Sequence, residues 1–157
     1  MIEWNVTSDL EPGLKEAVTK MVGFMLSHEV HSISFSLYGF YRYEFLIKKN
    51  REKYEVFLIE EEPTVPDFLT GGELKDYQEE VRWHRDKTNI QCKDIHVKQE
   101  IEESMKKRVM PLIESFLGVW EMCNGAEVND IEIQTQNEDI CLHYEEYEGI
   151  FVKIEKI

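Results

Sequence analysis

Lysine and arginine are missing from the entire stretch between Val109 and Val152. Ten acids fall there: Glu114, Glu121, Glu127, Asp130, Glu132, Glu138, Asp139, Glu145, Glu146 and Glu148. The whole chain has 32 acids against 18 bases, a net charge of -14. The stretch therefore carries -10, and the other 22 acids and 18 bases leave only -4. The acidity is regional. Nucleic acid phosphates and anionic membranes are held by a surplus of Lys and Arg, so direct binding of either is not expected. A basic partner is favoured instead, or the charge merely keeps the protein dissolved.

Glycine and proline are also scarce, at eight and four in 157 residues, while 42% of the chain is hydrophobic. That is a globular composition, and its length predicts one domain, 1–157, able to bury about two thirds of its unfolded surface. The three cysteines (Cys92, Cys123 and Cys141) lie far apart with no C-x-x-C pair. They predict reduced thiols in a reducing compartment. The opening MIEWNVTSDLEPG has neither a basic nor an apolar leader segment, and the apolar run from Met21 to Leu26 is too short to cross a membrane. A cytoplasmic protein is expected. No G-x-x-x-x-G-K-S/T or G-x-G-x-x-G occurs; Gly71-Gly72 reads as turn chemistry, and no cofactor or metal is expected.

Periodicity supplies the rest. Asp9 suits a helix N-cap and Pro12 a first turn, after which Leu14, Val18, Met21, Val22 and Met25 recur at helical spacing to about His28. Alternation then predicts strands at about 32–39, 40–48 and 53–61, the last two a hairpin across KKNREK. EEPTVPDFLTGG is a loop, a helix with Leu74, Tyr77 and Val81 on one face starts near Glu73, and 86–94 is ambiguous between loop and short strand. A long helix runs from Asp94 or Lys98 to Asn124-Gly125, with Pro111 expected to kink or interrupt it. Ile131, Ile133, Ile140, Leu142, Tyr144 and Phe151 then mark a second three-strand meander. No repeat is visible. The order predicts an α+β fold: a largely antiparallel sheet of about five to six strands with helices packed on one face.

Several residues invite chemistry. His28 and His31 are three apart, whereas a zinc protease helix uses histidines four apart, so helix-terminal polar residues are the simpler reading. Arg82-Trp83-His84-Arg85 could grip a phosphate or carboxylate with His84 as acid or base; a helix end with Arg82 and Asp86 paired is the structural alternative. Cys141 and His143 share a strand face but sit about 6.5–7 Å apart along it, too far for direct activation. Glu60, Glu61, Glu62 and Asp67 lack the ligand spacing of a calcium loop.

The regional charge carries the functional expectation. A focused acidic field can raise association with a basic protein by about 10–10³-fold, and tyrosines add contact area. The expected role is a non-catalytic interaction protein that binds and neutralises a basic partner: a bacterial immunity-protein or antitoxin-type inhibitor, with a nuclease toxin among the partners that fit. Its surface is expected to use Glu132, Glu138, Asp139, Tyr144, Glu145, Glu146, Tyr147 and Glu148. The alternatives are a small enzyme or ligand-binding domain built on Arg82-Trp83-His84-Arg85, and a structural subunit of a homo-oligomer with an apolar interface.

Overall fold

In a computed structural model the described residues are 1–6, 10, 12–38, 41–63, 71–73, 75–76, 79, 95–97, 100–123, 131–145 and 148–157. The elements run β1 (Ile2–Asn5), α1 (Pro12–Ser27), β2 (Val30–Tyr38), β3 (Tyr41–Asn50) and β4 (Lys53–Pro63). Residues 71–73, 75, 76 and 79 are helical and form α2. Then come β5 (Ile95–Val97), α3 (Glu103–Met122), β6 (Ile131–Thr135), β7 (Glu138–Glu145) and β8 (Gly149–Lys156).

The strands form one sheet of eight, ordered β1-β4-β3-β2-β6-β7-β8-β5. Both expected meanders are present, and every pairing within and between them is antiparallel. The count of five to six strands is corrected by β1 and β5, which pair parallel at the two edges with β4 and β8. Each is short. β1 covers only residues 54–57 of β4, and β5 only 150–152 of β8.

Written as topology, β1-α1-β2-β3-β4 and β5-α3-β6-β7-β8 are the same unit twice. The two units meet where β2 pairs antiparallel with β6, Ile33 opposite Ile133. The helices follow the same two-fold relation. Cys123 at the end of α3 reaches the Ala17 carbonyl in mid-α1, while Phe24 near the end of α1 meets Phe116 in mid-α3, so the helices run antiparallel. No repeat was visible in the sequence because the halves share an order of elements and not residues: VHSISFSLY in β2 corresponds to IEIQT in β6.

Alternation along the strands sends Ile33, Phe35, Leu37, Phe45, Ile47, Val56, Ile133, Ile140 and Leu142 to one face, where they are buried with Val18, Met21 and Met25 of α1 and Ile113, Phe116 and Trp120 of α3. The Trp120 indole sits edge-on to Phe35 and stacks on Phe116, which fixes α3 over β2. The long helix begins at Glu103, later than expected, because 95–97 form β5. Pro111 neither ends nor interrupts it. The proline is on the exposed side, where water can serve the carbonyl that its missing N–H leaves over. Asp9 and Asn124-Gly125, the expected caps, lie outside the described residues, as do the ambiguous residues 86–94. No helix among the described residues is long and apolar enough to cross a membrane.

Candidate interaction surface

The face of the sheet opposite α1 and α3 collects the other half of each alternation. In the second unit, register places Glu132 opposite Cys141, Gln134 opposite Asp139, Cys141 opposite Lys153 and Asp139 opposite Glu155. Ser34 and Ser32 of β2 extend these rows toward the first unit, opposite Glu132 and Gln134. Three carboxylates therefore share a small area, with Lys153 set among them and Lys48 beyond Ser32 in the row of Gln134 and Asp139.

Their contacts are specific. Gln134 Nε2 donates to Glu132 Oε1 at 2.8 Å, and Ser32 Oγ donates to Gln134 Oε1 at 3.1 Å. Lys153 is spent on its strand neighbour, 3.0 Å from Glu155. Asp139 Oδ1 is buried with no hydrogen-bond partner among the described residues. The Glu132 carboxyl is pushed above its usual range, first by a side-chain hydrogen bond to Asp139, then by burial and by the Asp139 charge, with Gln134 pulling the other way. Among the described residues no salt bridge reaches either carboxylate; Lys153 pairs with Glu155, and Asp139 acts on it only as a weaker neighbouring charge.

The same acids silence Cys141. Burial raises its thiol pKa, the charges of Asp139, Glu132 and Glu155 raise it further, and Lys153 opposes them. A nucleophilic cysteine needs the reverse, an electropositive surrounding that favours the thiolate, so the Cys141/His143 pairing has no chemical support.

The eight residues expected to form one patch divide. Glu132 and Asp139 lie on the face opposite α1 and α3, half-buried. Glu145 and Glu148 are exposed at the β7–β8 turn, at the other end of β7 from Asp139 and about 20 Å along the strand. There the His96 ring stacks on Phe151, and its Nε2 donates to the Glu148 carbonyl at 2.7 Å. Tyr144 points with Ile140 and Leu142 and packs, half-buried, against the core. Glu138 is not a surface residue. It is 2% exposed, and its Oε1 accepts from Arg108 Nε at 2.7 Å while Oε2 accepts from Thr135 Oγ1 at 2.6 Å. Alternation puts Glu138 on the helix side, and Arg108 of α3 neutralises it there. Glu146 and Tyr147 lie outside the described residues, as does all of Arg82-Trp83-His84-Arg85.

Sequence reasoning missed Glu155 and Gln134, whose place beside Asp139 depends on strand register. It also left His28 as a helix-terminal residue, which the structure bears out. His28 Nδ1 donates to the Phe24 carbonyl at 3.1 Å and the ring stacks on Phe24. No group of three or more metal-ligating side chains occurs among the described residues. In comparisons with known proteins, no family model, no curated protein and no solved structure matches this chain.

Proposed function

We propose that this is a non-catalytic cytoplasmic binding protein that neutralises a basic protein, in the manner of an immunity protein or antitoxin. The face of β6, β7 and β8 opposite α1 and α3 is its contact surface. One observation carries the reading: Glu132 and Asp139 are held close together on that face, and among the described residues no salt bridge reaches either of them. Like charges close together on a sheet repel, and Glu132 and Asp139 sit diagonally across β6 and β7, so the pair works against the free protein. A lysine or arginine from a partner, placed beside this pair, would favour the ionised form of both carboxylates and offset their mutual repulsion on binding. Glu155 extends the contact, and Glu145 with Glu148 supplies longer-range attraction from the end of the sheet. A homo-oligomeric subunit would need a contiguous apolar interface. Among the described residues the large exposed apolar side chains are Met1, Leu26, Ile59, Met122 and Ile157, which sit instead on α1, β4, α3 and at positions 1 and 157.

The test is affinity capture from the source cell with immobilised protein, comparing the native chain with a Glu132→Gln/Asp139→Asn double variant. A basic protein is expected to be retained at low salt, released at high salt, and bound at least about tenfold more weakly by the variant. Capture that is indifferent to the two substitutions sinks the reading.

A further inference from the structure

A cavity of about 260 Å³ opens between the α1–β2 junction, the first half of α3 and the β6–β7 turn, away from the acidic face. Its apolar floor is Val109 and Leu112, both buried, and its polar walls include Arg108, His28 and Glu29.

Two features of these walls are built rather than incidental. Arg108 is anchored from behind: its Nε and one terminal nitrogen both donate to Oε1 of Glu138, whose side chain is 3% exposed, while the arginine side chain remains 53% exposed. A buried carboxylate held in place by Thr135 thus orients a guanidinium that keeps further N–H donors for another acceptor. Glu29 has φ +53, the left-handed region that glycine or asparagine occupies at most helix ends. A glutamate there works against the fold, and it puts an exposed carboxylate with no partner among the described residues on the cavity wall.

The signs select the ligand class. Arg108 and Glu138 cancel each other, so a plain anion would meet the uncompensated Glu29. A plain cation would meet the guanidinium. A molecule with both charges satisfies the two walls, and the volume suits something of amino-acid size. We propose that this cavity binds a small zwitterion, a free α-amino acid, with its carboxylate on Arg108 and its ammonium on Glu29. The site is separate from the acidic face, and neither proposal depends on the other.

Isothermal titration of the full chain with each of the common amino acids, to about 10 mM, tests this at the affinity expected for so small a ligand. At least one amino acid is expected to bind, and its N-acetyl and amide derivatives, each lacking one charge, about tenfold more weakly or not at all. Glu29→Gln should weaken the amino acid without affecting its N-acetyl form. Arg108→Lys, which keeps a cation for Glu138, should weaken both, with urea denaturation confirming that each variant is folded. The proposal is overturned if no amino acid binds, if either singly charged derivative binds as well as the parent, or if Glu29→Gln changes nothing.

Discussion

Ile33 and Ile133 face each other directly across the β2–β6 seam, and neither is accessible to solvent. This pair joins the two β-α-β-β-β units at the middle of the sheet, beneath both helices. Truncating either to alanine should cost about 2–5 kcal/mol, the range for deleting a buried isoleucine side chain. Because the residues touch, the double variant should differ from the sum of the singles by at least about 0.5 kcal/mol, measured by urea denaturation. Additive losses would mean that the units meet without coupling.

For the Arg108–Glu138 pair, losing one member should cost more than losing both. Arg108→Ala strands a carboxylate that is almost wholly buried and should cost roughly 2–3 kcal/mol, less than a fully enclosed pair because the arginine side is open to water. The double variant Arg108→Met/Glu138→Leu removes both charges and should recover most of that loss. Equilibrium denaturation of the two proteins decides it.

Glu132 gives a pH signature of known sign. Its folded-state pKa lies above the unfolded one, so the native state binds this proton more tightly. The penalty from Glu132 is therefore present above the folded pKa and is relieved as pH falls through it toward the ordinary carboxylate range. Glu132→Gln should raise stability at neutral pH by up to about 1 kcal/mol and flatten this part of the profile. Thermal melts across mildly acidic to neutral pH, native against variant, would show it. A variant less stable at neutral pH would refute the account.

Cys123 should be a slow thiol. Burial pushes its pKa up to about 11, with the Lys20 charge opposing and the Glu16 charge adding, and its sulfur donates to the Ala17 carbonyl at 3.5 Å. The thiolate is the reactive form, so alkylation by iodoacetamide near neutral pH should run roughly a hundredfold below that of an unperturbed thiol. Peptide mapping should place Cys141 among the slow thiols too, because burial and three acids raise its pKa. Denaturation should make both react quickly.

The parts of the fold that were legible in the sequence are those in which one period persists. Leu14, Val18, Met21 and Met25 announced α1, and Ile33, Phe35 and Leu37 announced β2, because each row buries a face. β1 and β5 were not legible. Four and three residues are too few to show a period, and what holds them is parallel pairing with strands about 50 positions away in sequence. The site divided in the same way. Alternation alone puts Cys141 and His143 on one face, but bringing Asp139 beside Glu132 and Glu155 takes the register of three strands. Glu138 misled because a sequence displays a charge and not its counter-ion, here 30 residues upstream on a helix.

The brevity of β1 and β5 has a consequence for crowding. Past Phe57 on β4 and past Val152 on β8, no further strand among the described residues covers the sheet's outer edges. On β4 that margin carries an irregularity in pairing beside Ile59 and closes on Pro63, which has no N–H to offer a visiting chain. On β8 it carries Lys153, Glu155 and Lys156. A sheet eight strands wide would otherwise be a template for fibre growth, and these two guarded margins let it stay finite without closing into a barrel.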